Sequence, residues 1–342
     1  MPTPTDNARL GLDVGPVKRG SRYYLFLLLL ITWGILFLLA ASSVLTQLSL
    51  LAFLAAGFLL TFGLALRKVY RSLNPVRTPI LQDPLTQLGV NFKNVVFPSR
   101  DGWDLSGWFI PPKNGATVIL THGMGGNRLD LMHIASVLAE RGFGLLMYDM
   151  RAHGRSAGNL GTRGWLEVND LNGAADYLLT RPEVDHNRIG AMGFSLGGQI
   201  TIRAVAENKS IKAIIAEDPS PATLTDTPIP AGFSFRKMIN YPALWMVYRL
   251  LSAASGVTPP MGELESIGKI APRSTLLISS GAGRGQELIR IYFDSAGKPK
   301  ELWEVPETGH AWIFTVRPEV YQDKVCGFFK RWLVGDEEIE YT

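Results

Sequence analysis

The stretch RIGAMGFSLGGQITIRAVAEN, residues 188–208, decides the fold. RIGAMGF is an apolar run without alternation, the pattern of a strand buried on both faces. LGGQITIRAVA continues it as a helix, and the two meet at Gly193-Phe194-Ser195-Leu196-Gly197. A serine on so tight a strand-to-helix turn has its hydroxyl lifted clear of the strand. Side chains two residues to either side would collide, so Gly193 and Gly197 supply the room, and Gly198 lets the helix lie close to the sheet. The helix N-terminus adds unpaired N–H groups and a positive dipole end beside the hydroxyl. Ser195 therefore reads as a nucleophile at the C-terminal end of a strand.

Outward from this point the same alternation repeats. Apolar runs at 116–122, 143–150, 211–218, 273–281 and 300–307 are separated by helical stretches, and two shorter strands precede them at 94–98 and 105–112. Strand–helix repetition builds a mostly parallel sheet with helices on both faces, and ligands in such sheets bind beyond the C-terminal strand ends. The interval 219–271 is too long for an ordinary connection and reads as a helical cap. Its stretch 231–256 is aromatic-rich (Phe233, Phe235, Tyr241, Trp245, Tyr248), as a lid over an acyl pocket would be.

Three loops at the expected strand ends carry further chemistry. LTHGMGGNR (120–128) follows one strand and offers backbone N–H groups; an oxyanion hole needs two of them. VPETGHAWIF (305–314) follows the last strand and places His310 in a glycine-containing loop, where an imidazole can take a serine proton near neutral pH. YDMRAHGRS (148–156) is a third glycine-rich loop.

Together THGMGGNR, YDMRAHGRS, GFSLGG and ETGHAW, in this order, resemble the α/β-hydrolase superfamily of esterases, lipases and peptidases over roughly 90–335. The resemblance implies Ser195 as nucleophile, His310 as base, and the N–H groups of Met124 and Leu196 as the oxyanion hole, with no cofactor and no metal. It makes Asp149 a brace of its loop, with Ala152 standing where the family usually has glycine, and His122 and His153 loop organisers. His133 and His186 receive no role.

The acid that orients the base is the departure. In the family it most often follows the strand that here is TLLISSG, about three residues after its glycine; counting from Gly281 reaches Arg284, which has no acceptor. The first carboxylate downstream is Glu287, in the first turn of a helix, and it is the leading candidate. Asp218, after the preceding strand, is the alternative; its neighbour Glu217 should point the other way. Asp294 lies too far along the helix, and a site without an acid is the third possibility.

The N-terminal part differs in kind. Residues 23–66 contain no charged side chain, and two runs, about 23–41 and 46–66, are each long enough to cross a bilayer. Lys18, Arg19 and Arg22 precede them and Arg67, Lys68, Arg71 and Arg77 follow, which favours two spans with both termini, and the domain after them, on the cytoplasmic side. A single span, a re-entrant hairpin or a cleaved signal are the alternatives. Residues 1–22 read as a basic disordered tail, 67–88 as a proline-containing linker, and 89–335 as the hydrolase domain.

Composition agrees. The chain of 342 residues is 46% hydrophobic, with a net charge of +4 and basic residues not gathered into a nucleic-acid-like stripe. The single cysteine, Cys326, forbids an intrachain disulfide and reads as a buried apolar residue. The expected function is a membrane-anchored serine hydrolase acting on a small or lipid-like acyl substrate through an acyl-enzyme. The alternative is a non-catalytic membrane protein that uses the fold as a binding or scaffold module.

Overall fold

The computed structural model describes residues 30–34, 37, 44–81, 89–226, 235–310 and 313–335. Eight strands, β1 (Lys93–Pro98), β2 (Asp104–Ile110), β3 (Thr117–Thr121), β4 (Gly144–Tyr148), β5 (Ile189–Phe194), β6 (Ile211–Glu217), β7 (Ser274–Ser280) and β8 (Lys300–Val305), form one sheet. Their order is β1-β2-β4-β3-β5-β6-β7-β8, antiparallel at β1–β2 and β2–β4 and parallel from β4 onward. This is the mixed, mostly parallel sheet that the strand pattern predicts.

Successive side chains of a strand point to opposite faces, and both faces are covered. Val118 and Leu120 of β3 and Leu276 and Ile278 of β7 join one core, with α2 (Met132–Glu140), the short α8 (Ile313–Val316) and α9 (Pro318–Phe329). Ile119 and Leu277 join the other, with α3 (Val168–Leu179), α4 (Leu196–Glu207) and α7 (Arg284–Ser295). Each such fully buried leucine or isoleucine contributes about 1.5–3 kcal/mol. Cys326 is buried on α9, and burial pushes its thiol up to about 12.

Between β6 and β7 the chain forms α5 (Phe235–Ser255) and α6 (Glu263–Gly268), the helical insertion that the long interval predicted. Of its aromatic residues, Tyr248 is buried, stacks on Trp165 and donates its hydroxyl to the Pro221 carbonyl, while Tyr241 and Trp245 are exposed. Phe233 lies outside the described residues.

The N-terminal region shows the expected hairpin in part. One helix among the described residues, Thr46–Leu73, is long and apolar enough to cross a membrane. The expected first span falls mostly outside the described residues; of it, 30–34 and 37 are helical. The second helix, α1 (Val44–Leu73), continues seven residues past the expected end at 66. The chain divides into two compact units, 1–62 and 63–342. Within the second, Ala65, Val69 and Leu73 are buried, one helical turn apart, against Trp165, Ala222, Val247, Tyr248 and Leu251. Gly161 N–H donates to the Leu73 carbonyl at 3.0 Å, and a side chain at Gly161 would sit 2.6 Å from the Ser72 carbonyl. Residues 67–73, expected to open a linker, are thus packed helix. Charged residues on a helix's outer row do not prevent its inner row from docking, which is why charge alone misplaced the boundary.

Candidate active site

Ser195 caps α4 directly after β5, at φ 53 and ψ −111. A non-glycine residue in this region is strained, and such strain persists only where the surroundings enforce it. Here Ser195 N–H donates to the Glu217 carbonyl at 2.8 Å, and the Ser195 carbonyl accepts from Gln199 and Ser220 N–H. The two flanking glycines are required sterically. A Cβ on Gly193 would lie 2.1 Å from the Gly197 carbonyl oxygen, and one on Gly197 would lie 2.2 Å from that of Thr121.

The loop after β3 passes beside this elbow, since a Cβ on Gly123 would be 3.7 Å from Ser195 Cβ. Two histidines fix it. Met150 N–H donates to His122 Nε2 at 3.0 Å, so the proton sits on Nδ1, which donates to the Gly123 carbonyl at 2.7 Å. Burial, then the neighbouring His153, pushes His122 down to about 4, which keeps it neutral. His153 holds the Arg151 carbonyl with Nδ1 and accepts Gly125 N–H at Nε2, 3.3 Å away. In a trans peptide the C=O and N–H point in opposite directions. Clamping the Gly123 carbonyl to His122 therefore turns the Met124 N–H away from that ring. The turn bond of the loop uses Gly126 N–H and the Gly123 carbonyl, not Met124 N–H. Leu196 N–H is one of the first helical donors of α4, which have no acceptor within the helix. Among the described residues, neither Met124 N–H nor Leu196 N–H donates a backbone hydrogen bond.

Asp149 acts as the brace that its loop motif implies. Its carboxylate accepts from Arg128 Nη2 at 2.8 Å and from Arg128 N–H at 3.0 Å, both buried, and from Arg155 N–H at 2.8 Å, part-buried.

The carboxylate beside His310 is Asp218, not Glu287. His310 Nδ1 lies 3.3 Å from Asp218 Oδ2; Asp218 is 5% exposed and His310 63%. Asp218 has φ 46, a second strained position, and its N–H donates to the Ile278 carbonyl at 2.9 Å. Ser280, at the end of β7, holds the carboxylate with its N–H at 2.8 Å and with its hydroxyl. The hydrogen bond and charge of Asp218 raise the His310 pKa above 6.5. Glu287 is exposed on α7, on the helix face that also shows Arg290 paired with Glu304. The buried row of that helix is Leu288, Ile289 and Tyr292, so burying it turns Glu287 outward. Among the described residues, no hydrogen bond joins Ser195 to His310.

Sequence reasoning missed what two residues of this site do. Ser280 is one; a serine ending a fully buried strand was its only signal. The other is Glu217, which does turn away from His310, as alternation predicts. Its carboxyl is buried and accepts the Tyr321 hydroxyl at 2.6 Å, and burial pushes it up to about 8. It is therefore neutral below about pH 8.

The family model for serine aminopeptidase, S33, matches residues 112–254. YfhR of Escherichia coli (strain K12) is 28% identical over 250 residues, covering 69% of this chain and 80% of that protein. YfhR of Salmonella typhi is 36% identical over 142 residues, and in that alignment the chain spans about half of the relative's length (48%), with 36% of this chain covered. Among solved structures, the Pyrococcus furiosus esterase Pf2001 is similar with a TM-score of 0.63 at 26% identity, covering 77% of this chain and 98% of the esterase. The likeness first read from four glycine-containing loops thus covers most of the chain, which has the α/β-hydrolase fold and is similar to a solved esterase.

Proposed function

We propose that this protein is a membrane-anchored serine hydrolase that cleaves carboxylic esters through an acyl-enzyme on Ser195. The observation that carries the reading is the approach of His310 Nδ1 to within 3.3 Å of a buried Asp218, on the sheet edge where Ser195 stands. With Nδ1 committed to Asp218, Nε2 is the ring nitrogen left to accept the serine proton. Ser195 Oγ attacks the carbonyl carbon and its proton passes to Nε2. The tetrahedral oxygen accepts the N–H groups of Met124 and Leu196, each worth about 100- to 1,000-fold in rate. His310 then protonates the leaving alcohol, and water cleaves the acyl-enzyme by the same steps in reverse order. Asp218 replaces Glu287 as the acid.

For the anchor, α1 supplies the physical support. Its most apolar stretch is almost entirely exposed, unlike the core helix of a soluble protein. Its last turns are packed into the hydrolase unit, which a cleaved leader would not be. A second span and a cytoplasmic position of the hydrolase domain are part of the same proposal, resting on the basic residues flanking residues 23–66.

The test is labelling of the full chain, in neutral detergent, by a fluorophosphonate probe. Wild type should label and Ser195→Ala should not. Folded wild type that fails to label, or labelling unchanged in Ser195→Ala, sinks the proposal. Turnover of matched ester, thioester and amide substrates by the same preparation then ranks the bond cleaved.

A further inference from the structure

We propose that the cavity beside the oxyanion hole is a subsite for an anionic group, so that the preferred substrate is an acyl ester carrying a phosphate or carboxylate near the scissile bond. This rests on the hydrolase reading above and adds the substrate class to it.

The cavity has a volume of about 280 Å³ and reaches Met124 and Leu196, the residues read above as the oxyanion hole. It is therefore continuous with the place where an ester carbonyl would sit. Its size is at the small end for ligand pockets; it suits a head group and not a long acyl chain. Arg71 and Arg163 line it, brought together from positions 92 residues apart in the sequence. No ion pair to a carboxylate is made by either of them among the described residues.

Arg163 is the more informative. It occupies the left-handed region at φ 55, in a loop that is tied down on every side. Glu167, buried beneath the loop, accepts from Thr162 N–H and Thr162 hydroxyl, both at 2.6 Å, and from Gly164 N–H at 2.9 Å. Gln199 of α4 donates to the Arg163 carbonyl at 2.9 Å. The carboxylate closest in sequence is thus occupied by the backbone and hydroxyl donors of the loop. The Arg163 guanidinium makes one long contact, Nη1 to Ser72 Oγ at 3.5 Å, and its Nε is buried with no hydrogen-bond partner. A buried, unmatched donor on a cation costs free energy unless something anionic completes it. Arg71 belongs to the basic residues flanking the apolar helix, and the positive-inside tendency accounts for it alone. It does not account for Arg163, which lies on the loop between β4 and α3.

The location also fits an ester that partitions to a membrane surface. The apolar helix ends at Leu73, and the next residues, Asn74, Pro75 and Val76, form a wall of the cavity. A guanidinium fork binds phosphate and carboxylate oxygens with paired hydrogen bonds, which a neutral alcohol group cannot match.

The experiment compares a 1-acylglycerol 3-phosphate with the 1-acylglycerol of the same chain, using the full-length protein in neutral detergent micelles. Wild type should show a kcat/KM higher for the phosphate ester by about tenfold or more. Arg163→Gln and Arg71→Gln should each reduce this ratio, chiefly by raising KM for the anionic ester, and Arg163→Lys should restore part of it. A wild-type ratio near one, or variants that slow both esters in proportion, overturns the subsite. A butanoyl pair, soluble as monomers, and a hexadecanoyl pair in micelles separate two sources of preference. Preference in both pairs supports recognition of the anion itself; preference in micelles alone means charge at the surface and overturns it. Fluorophosphonate labelling of the same samples keeps the two readings apart. Labelled protein without charge preference defeats the subsite only, and unlabelled folded protein defeats the hydrolase reading with it.

Discussion

Asp218→Asn is the most discriminating single change. It keeps the shape and volume of a side chain that is 5% exposed and removes only the charge. The new amide oxygen can still accept Ser280 N–H, so Asp218's place between β6 and β7 should survive. What changes is the partner of His310. An amide N–H facing Nδ1 favours the tautomer with the proton on Nε2, the nitrogen that must receive the serine proton. It also removes the charge that stabilises the imidazolium. The contact is 3.3 Å, longer than the usual charge-assisted bond of about 2.7–2.9 Å. The ring is also 63% exposed, so water can replace part of the lost interaction. The fall in kcat should therefore sit in the lower part of the range for such losses, about 100- to 1,000-fold. The assay is hydrolysis of a short-chain p-nitrophenyl ester, with the labelling rate as a second readout. The pH profile supplies an independent sign. Asp218 raises the His310 pKa above 6.5, so its removal should move the acid limb of kcat/KM to lower pH. Glu287→Gln, made in parallel, should leave both rate and profile unchanged within about twofold, as for an exposed surface substitution. Near-wild-type activity in Asp218→Asn together with a large loss in Glu287→Gln would refute the assignment.

Gly197→Ala places a Cβ 2.2 Å from a backbone oxygen that cannot retreat, and should abolish labelling and lower the melting temperature. Gly327→Ala on α9, which meets nothing within 4 Å, should instead be neutral or stabilising by about 0.5–1 kcal/mol. Asp149→Ala leaves Arg128 buried and uncompensated, and should destabilise by about 3–5 kcal/mol in denaturant unfolding. Glu217→Gln copies the neutral carboxyl. In wild type the folded-state pKa is about 8 against 4.5 when exposed, so the folded state binds the extra proton and stability should decline as pH rises between those values. In the variant that decline should be reduced, read as a flatter melting temperature against pH, while labelling of Ser195 persists.

The sequence by itself determined what depends on neighbouring residues. Strands buried on both faces announce themselves as unbroken apolar runs, and the elbow at Ser195 follows from glycines, two of which, Gly193 and Gly197, the structure shows to be sterically required. His310 was legible for the same reason, as a histidine in a short glycine loop after a recognisable strand. The acid was legible only as the second of two candidates, Asp218 behind Glu287, because its identity depends on how the ends of two adjacent strands align. Glu217 pairs with Ile278, which brings Asp218 level with the end of β7, where Ser280 can hold it and the His310 loop can reach it. Counting along β7 could find only Arg284 and Glu287, since the residue that completes the site comes from the neighbouring strand. The end of α1 is a second instance. Its charges mark an exit from an apolar segment, but Ala65, Val69 and Leu73 find their partners on residues 165–251, and the wall that this packing builds is set by contacts between distant parts of the chain. Local pattern specifies elements and the residues at their ends; which of those residues meet is fixed by strand register and helix docking, and these exist only in the folded chain.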